Sequence, residues 1–346
     1  MQIKQKLLIS VLLSAFFLFA AFIISVSFGT VDVSVKELIS IFKSLFFGGG
    51  ISETSQNINA IILNIRLPRV VLAVLIGGGL SIVGAVMQSI FKNPMAEPGI
   101  LGWSSGGAFF AVLIIYTGIA HSSILILPLF SFIGTLLTAT LIYKVATIQS
   151  ETPNTLLLLT GIAIGSLFIS LISLILIMSD VWSIREILFW LMGGLDSTGW
   201  HQVKIASAPI LIGSIAIMFF GRDLNALLVS EDTASTLGIN VRNTKMWLFV
   251  FSSLIVGSAV SVSGIIGFVG LIIPHILRLI IGADNRILLP VSFITGGAFL
   301  SLADLLARTV ISPEEIRLGI ITSFIGVPFF IYLLRKNKFK ISGLYE

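Results

Sequence analysis

The chain has 346 residues, of which 56% are hydrophobic and only 11% are charged, with a formal net charge of +5. Soluble domains average about 25% charged residues, so this composition excludes an ordinary soluble domain and predicts a protein built for lipid. The sequence has no cysteine, which excludes disulfides, thiolate metal sites and cysteine nucleophiles together.

Apolar runs of roughly 20 residues, enough to cross a hydrocarbon core of about 30 Å, recur along the whole chain. They predict an all-α polytopic membrane protein, one domain over 1–346, with about ten spans. The third and eighth spans are short because glycine and proline interrupt their surroundings. The predicted spans are 7–28, 66–90, 104–117, 125–146, 155–178, 202–220, 246–263, 267–281, 288–306 and 318–334.

Basic residues indicate the orientation of these spans. Lys4 and Lys6 precede the first span, and four further lysines and arginines follow the last one. Ten spans place both termini on one side of the membrane, and the side richer in lysine and arginine is the cytoplasm. We therefore expect cytoplasmic N- and C-termini, with topology rather than nucleic acid explaining the positive charge. The first apolar stretch is too long for a signal peptide and lacks a clear cleavage site, which favours a retained span.

The second span opens with "RLPR", which contains Arg66 and Arg69. The topology places these arginines on the external face, at the end of an external loop over 29–65. An arginine costs several kcal/mol at the centre of a bilayer but little at its edge. Two interpretations stay open: the arginines anchor a helix end by reaching the interface, or they offer charge to a partner outside the lipid.

"SSGGA" at 104–108 resembles a nucleotide loop only superficially. It opens an apolar span, and the sequence has no Gly-Lys pair of the kind that a phosphate-cradling loop requires. Close helix packing by small residues explains it better. The chain is therefore not expected to bind ATP by itself.

The fifth span carries a stripe of serines. Ser166, Ser170 and Ser173 recur at i, i+4 and i+7 and so share one helix face. In membranes such stripes form helix–helix contacts or, alternatively, line a water-filled cavity. A similar set in the last span comprises Gly319, Thr322, Ser323 and Gly326.

The longest polar stretch on the cytoplasmic side is 221–245. Asp223 and Ser230 lie where a helix could be capped, and Gly238 lies where one could end. The pattern predicts two short helices along the cytoplasmic face. A partner protein is one explanation for an inner loop of this length, and a loop without a partner is the other.

Catalytic chemistry is not indicated. The three histidines, His121, His201 and His275, lie far apart in sequence and suggest neither a metal site nor a catalytic cluster. Asp304 precedes Arg308 by four residues, which places both on one helix face. The pair either stabilises a helix end or marks a functional intramembrane acid, although a proton relay would need further acids within the spans.

A weak internal repeat is present at a constant offset. The second span would run inward and the seventh outward, so the halves would be inverted repeats, a recurring design in transporters. Gly77, Ser81, Gly84, Pro94, Ile100 and Gly102 recur as Gly257, Ser261, Gly264, Pro274, Ile280 and Gly282.

Three long blocks of the sequence carry a family resemblance. They are "RLPRVVLAVLIGGGLSIVGAVMQSIFKNPMAEPGILGWSSGGAF" at 66–109, "SGIIGFVGLIIPHILRLIIGADNRILLP" at 263–290 and "ADLLARTVISPEEIRLGIITSFIGVPFFIYLLRK" at 303–336. The blocks resemble the FecCD-type permeases, the membrane subunits of ABC importers for iron-siderophores, haem and cobalamin. They occur in family order, and "LGINV" at 237–241 is similar to the family's cytoplasmic loop.

The resemblance implies a ten-span subunit in a bacterial cell membrane that pairs with a second permease chain, identical or paralogous. Two cytoplasmic ABC ATPases and an external substrate-binding protein would complete the importer. ATP and magnesium would bind the ATPases, and iron would be present only in the cargo. The expected function is translocation of a ferric siderophore, with cobalamin or haem as the alternative cargo. An ATPase-independent secondary transporter is the alternative from another class.

The resemblance also implies roles for residues. The arginines Arg66, Arg69 and Arg308 would meet glutamates of the binding protein, and their planar guanidinium groups suit carboxylates. The turn Thr152, Pro153 and Asn154 would form an inner gate, and the serine stripe would border the translocation path. The residues expected to transmit ATPase closure are Glu231, Ser235, Leu237, Gly238, Ile239, Val241 and Arg242.

One position departs from the family pattern. Members commonly have Glu-Leu-Pro-[Val/Ile]-Gly where this chain has "EIRLG" at 315–319, so Arg317 replaces the proline that would start the last span. It either pairs locally, beside Glu314 and Glu315, or extends the docking patch. Local pairing is the favoured interpretation.

Overall fold

The computed structural model describes residues 3–29, 59–149, 151–196 and 198–341. These residues form α-helices and short connections, with one isolated bridge between Ile148 and Glu151. Most of the predicted external loop 29–65 lies outside the described residues. The α-helices are α1 Ile3–Ser27, α2 Leu67–Ile90, α3 Trp103–Tyr116, α4 Ile126–Ala146, α5 Asn154–Met178, α6 Val181–Leu191, α7 Trp200–Phe219, α8 Gly221–Val229, α9 Glu231–Thr236, α10 Val241–Ser263, α11 Val269–Ile281, α12 Asn285–Thr309 and α13 Leu318–Ile341.

The ten predicted spans correspond to ten apolar helices of the described residues. Seven helices are long and apolar enough to cross a membrane, and three shorter apolar helices are α3, α11 and the part of α13 up to Tyr332. The shortness expected for the third and eighth spans is confirmed in α3 and α11. The helix α6 was not predicted. It begins after Asp180, whose carboxylate accepts a hydrogen bond from the Ser183 backbone N–H at 3.4 Å.

The helix α2 forms the centre of the bundle. Of its most apolar window, 89% is buried, against 11% for α1. Its glycines allow α12 to approach closely, because a Cβ on Gly77 would overlap the Gly296 carbonyl oxygen. On the neighbouring pair α3 and α4, Gly106 and Gly107 lie against threonine side chains of α4. The interpretation of "SSGGA" as close helix packing is therefore confirmed.

The start of α2 explains the proline between the two arginines. Helical backbone begins at Asn59 and continues through one π-turn over Ile62–Arg66 before α2. Pro68 has no N–H and its ring crowds the preceding turn, and the wider π-turn lies immediately ahead of it. This geometry places Arg66 and Arg69 at the same end of the bundle as the last turn of α1.

The predicted repeat is visible in which helices pack together, but the individual repeated residues do not occupy equivalent positions in their helices. The second span α2 packs on the ninth, α12, and the seventh span α10 packs on the fourth, α4. Gly84, however, lies inside α2 whereas Gly264 ends α10, and Gly102 precedes α3 whereas Gly282 follows α11. The constant offset of the sequence repeat is wrong at these positions, because the matched helices begin at different distances along the chain.

The two short helices α3 and α11 begin beside each other, next to the middle of α2. A Cβ on Gly270, near the start of α11, would lie 2.8 Å from the carbonyl oxygen of Leu80 and 3.1 Å from Cδ of Pro98. Glu97, which precedes α3, accepts a hydrogen bond at 3.2 Å from the backbone N–H of Phe268. The two helix starts are thus joined inside the bundle.

Candidate functional site

At one end of the bundle, Arg69 binds two carboxylates. Its Nε and Nη2 atoms donate to Asp304 at 2.9–3.0 Å, and its Nη1 and Nη2 atoms donate to Glu315 at 3.1 and 2.9 Å. Both pairs use two donors of the planar fork, which is the strong form of this interaction. Arg69 therefore joins the start of α2 to α12 and to the segment before α13.

Arg308 and Arg66 complete this arginine cluster, which consists of Arg66, Arg69, Arg308, Asp304 and Glu315. Arg308 Nε lies 3.2 Å from Asp304, and Arg308 Nη2 donates to the Ser25 carbonyl at 2.8 Å. Arg66 Nη1 donates to the carbonyls of Val26 and Ser27 at 3.0 and 2.9 Å. Cations are favourable at the carboxyl end of a helix, so these two arginines stabilise the last turn of α1.

The arginines expected to dock a binding protein are therefore engaged within the chain. Their exposed fractions lie between 4% and 7%, so no large guanidinium surface is presented outward. The predicted Asp304–Arg308 pair at the helix end is confirmed. The sequence analysis missed the part played by Glu315, since only the tertiary fold brings it to Arg69.

Arg317 forms an ion pair with Asp196, which lies 121 residues away in sequence, so the expected pairing beside Glu314 and Glu315 is wrong in its partner. Its Nη1 atom contacts the Asp196 carboxylate, and its guanidinium carbon lies 4.3 Å from the ring centre of Phe189. Glu315 is already bound to Arg69. The residue that replaces the family proline therefore fixes α13 against α6 and the segment that follows it.

At the opposite end, α8 and α9 form the two short helices expected over 221–245. Ser230 caps α9 as predicted, accepting from the Thr233 backbone N–H at 2.8 Å, whereas Asp223 lies within the first turn of α8 and caps nothing. Gly238 follows α9 with φ +81°, a backbone angle that glycine adopts without the Cβ penalty. The prediction of two helices with an end at Gly238 is confirmed.

The residues proposed for ATPase coupling divide into two groups. Ile239 and Val241 pack on a small apolar cluster of α8 and α9. The others lie at the surface and include Leu237, of which 68% is exposed. An exposed leucine at the tip of a polar loop is available to a partner protein. The remaining surface residues of this group are Glu231, Ser235, Gly238 and Arg242.

The helix α8 is held firmly to the start of α12. Asn225 donates to the Asp284 carboxylate at 2.7 Å and accepts from the Asn285 backbone N–H at 2.7 Å. Hydrogen bonds from Arg286 lower the pKa of Asp284 to about 2, so this carboxylate is ionised at neutral pH. The contact fixes α8, and α9 extends beyond it.

The turn before α5 adjoins α9. Thr152 is buried, and its hydroxyl lies 3.1 Å from that of Thr147. Asn154 Nδ2 donates to the Ile90 carbonyl at 2.7 Å and so joins the start of α5 to the end of α2. Pro153 is exposed. A cavity of about 530 Å³ separates the turn from the coupling residues, and its lining comprises Glu151, Thr152, Pro153, Asn154, Glu231, Asp232, Ser235, Val241, Arg242 and Lys245.

Lys245 connects the two predicted sites, and the sequence analysis assigned it no such role. Its Nζ atom donates to the Thr152 carbonyl at 3.1 Å and to Glu231 at 2.7 Å. A lysine at the cytoplasmic start of a span looks like an ordinary topology signal in sequence. Lys245 differs from such a lysine in being buried, and its burial depends on the tertiary fold, which the sequence does not show directly.

The serine stripe of α5 faces the surface of the chain. Ser170 and Ser173 donate to carbonyls of their own helix at 3.0 and 2.9 Å, and Ser166 is also exposed. The stripe makes no helix–helix contact within the described part of the chain. In α13 the similar set packs inside, with Gly319 against the Met192 carbonyl and Gly326 against the Phe268 ring.

Comparison with known proteins accounts for this architecture. The model of the FecCD transport family matches residues 16–336. The chain belongs to the FecCD transport family. It is 43% identical to a cobalamin import system permease of Halobacterium salinarum, over 84% of this chain and 76% of that protein. It is 40% identical to a hemin transport system permease of Yersinia pestis, over 81% of this chain and 85% of that protein.

A solved structure has the same fold. It is an ABC transporter in an inward-facing conformation, with a TM-score of 0.83 and 31% identity, covering 94% of this chain and 98% of that chain. This FecCD protein is thus a multi-pass helical membrane protein, the permease of an ABC importer that works with other subunits. The secondary-transporter interpretation is set aside by this membership.

Proposed function

We propose that the chain translocates a ferric siderophore across the bacterial cell membrane as the permease subunit of an ABC importer. A second permease chain would complete the path, and two cytoplasmic ATPases would bind and hydrolyse ATP with magnesium. The chain itself would break no bond, and iron would pass only as cargo. The α9 end of the bundle would be cytoplasmic, and the arginine cluster would face outward.

The observation that carries the coupling role is the contact between the exposed helix α9 and buried Thr152 in the turn before α5. Lys245 bonds Glu231 of α9 and Thr152 of the turn at once. A force applied to the surface of α9 by an ATPase therefore acts directly on residues that precede a span. The exposed surface that an ATPase would contact comprises Leu237, Gly238 and Arg242.

Docking of an external binding protein at the arginine cluster is the second part of the proposal. Guanidinium groups bind carboxylates through two parallel hydrogen bonds, which favours an acidic partner surface. Asp304 is 1% exposed and Glu315 is 34% exposed. Glu315 is therefore the carboxylate that a glutamate of the binding protein could replace on Arg69.

The relatives are named for different cargoes, so they support more than one candidate for the cargo of this chain. An Fe(3+)-citrate import system permease of Bacillus subtilis is 33% identical over 91% of this chain, which supports an iron chelate. The cobalamin permease that is 43% identical favours cobalamin as the second candidate, and the hemin permease favours haem. All three cargoes hold a metal within an organic ligand.

Uptake of radiolabelled ferric siderophores, haem and cobalamin, in cells with and without this chain, tests the proposal. A variant with Arg242→Glu and Gly238→Pro should also lose uptake, because proline cannot adopt φ +81°. Lys204→Glu, an exposed charge reversal on α7, is the matched control and should retain it. Normal uptake by the loop variant would refute coupling through α9. If cells without the chain lost only cobalamin or only haem uptake, that compound would replace the siderophore as the cargo.

A further inference from the structure

Lys245 is a buried lysine near the start of α10. It is 2% exposed, whereas Arg242 and Asn243 beside it are exposed. A buried ammonium group is costly unless it is paired and hydrogen-bonded. Among the described residues, Glu231 is the carboxylate within ion-pair distance of Lys245, at 2.7 Å.

The second bond of Lys245 leads into the bundle. Its Nζ atom donates to the Thr152 carbonyl at 3.1 Å. The Thr152 hydroxyl meets that of Thr147 at the end of α4, and Asn154, two residues later, donates to the Ile90 carbonyl at the end of α2. Together with the backbone of 152–154, these contacts connect α9 through Lys245 to the ends of α4 and α2 and to the start of α5.

The charges of Lys245 and Glu231 oppose separation of α9 from the turn before α5. The Glu231 side chain is 46% exposed and lies on the surface that α9 presents, so it can be displaced by a load on α9. If Glu231 withdrew while Thr152 stayed, the ammonium group would lose its counter-ion inside the protein, which is strongly unfavourable. Movement of α9 without movement of the turn is thus penalised.

We propose that Lys245 is a positioning residue for transport that makes α9 and the turn before α5 move together. The proposal rests on the function proposed above, and it adds one residue and its two bonds to the path by which ATPase closure reaches the spans.

Hydrogen exchange in the purified full chain tests the connection without ATP or cargo. Glu231→Gln leaves the buried ammonium group of Lys245 without its counter-ion, which should weaken its hold on the Thr152 carbonyl and raise amide exchange at 147–153 about tenfold. Asp232→Asn, the neighbouring exposed acid, is the matched control and should change nothing. In a Lys245→Met background, Glu231→Gln should have no further effect at 147–153.

Equal exchange in the two acid variants, or an undiminished effect of Glu231→Gln in the Lys245→Met background, would overturn the connection. Because these measurements use only the permease chain, they report on the connection even if the cargo or the ATPase assignment is wrong.

Transport tests the role. Lys245→Met in the assembled importer should lower uptake at least tenfold while ATP hydrolysis continues, and Lys245→Arg should restore part of it. Lys144→Met, an exposed lysine at the same end of the bundle, is the control. Uptake that stays normal in Lys245→Met, or that falls only in proportion to lost assembly, would overturn the positioning role.

The absence of native cysteine permits a direct view of the motion. Spin labels at Thr236→Cys on α9 and Thr155→Cys on α5 should keep one separation when nucleotide is added to the assembled importer. In Lys245→Met the separation should change with nucleotide. Identical behaviour with and without Lys245 would contradict the proposal.

Discussion

At the residue scale, Asp304 determines the stability of the arginine cluster. Its two oxygens serve Arg69 and Arg308, which converge on it from α2 and from its own helix α12. Without that carboxylate, two guanidinium groups would lie close together out of contact with water. Glu315 lies at the edge of the cluster and would neutralise the charge of Arg69 alone.

Asp304→Asn should destabilise the protein strongly, because it leaves two buried arginines short of a counter-ion. Removal of one partner from a buried ion pair costs about 3–5 kcal/mol, and thermal unfolding of the purified chain in detergent would measure the loss. Glu314→Gln, an exposed acid close in the chain, is the control. A melting temperature equal to that of the control would refute the structural role of Asp304.

Glu315→Gln should strengthen binding of the proposed external binding protein, since it removes the more exposed of the two carboxylates that bind Arg69. We expect an increase of about tenfold in affinity, typical of one charge-assisted contact, and a steeper dependence on salt. Binding to the detergent-solubilised chain, with Glu314→Gln as the matched variant, measures it. Weaker or unchanged binding would separate docking from Arg69.

At the element scale, contact between backbones holds the central helices together. Gly84 of α2 lies directly against the Gly270 backbone of α11, and Gly77 meets Gly296 of α12 in the same way. Small residues allow this approach where lipid supplies no hydrophobic driving force between helices. The glycine run that looks like a weakness of α2 in sequence is its packing surface.

Gly84→Ala should therefore be destabilising although alanine is the better helix former. Its Cβ would overlap the Gly270 carbonyl oxygen, and overpacking costs about 1–3 kcal/mol. Gly267→Ala is the matched control, because nothing lies within 4 Å of a Cβ at that position. Thermal unfolding of both variants gives the comparison, and equal melting temperatures would contradict close packing at Gly84.

Some helices could be predicted from the sequence, whereas α6 and the long-range side-chain bonds could not. The spans follow from apolar length, and α9 follows from the cap at Ser230, since both signals are local. The helix α6 was missed because its 11 residues are too few to cross a membrane and merge with an apolar neighbourhood. The bonds of Arg69 and Lys245 were missed because they join positions up to 246 residues apart, which no local pattern encodes.

At the scale of the whole molecule, the exposed surface is not uniform. The helices α1 and α5 have the least buried windows, 11% and 17%. The exposed side chains of α1 are mainly large and apolar, as expected for contact with lipid, whereas α5 adds the three exposed serines. A face that mixes serine with leucine and isoleucine suits a second protein chain or a water-filled path better than lipid.

A single cysteine at Ser173 should therefore cross-link to a second copy of the chain in membranes, with no native cysteine to interfere. Leu12→Cys on α1, 59% exposed, is the matched position and should remain monomeric. Gel mobility after oxidation reads out both variants. Cross-linking at Leu12 but not at Ser173 would place the partner on the other side of the bundle.

The short helices α3 and α11 are too short to cross a membrane by themselves. With 14 and 13 residues they rise only about 20 Å, less than the hydrocarbon thickness of about 30 Å. Their starts lie beside the middle of α2, and non-helical backbone at such depth is tolerated only inside protein or next to water. Because these starts pack against α2 and against each other, protein shields their non-helical backbone from lipid.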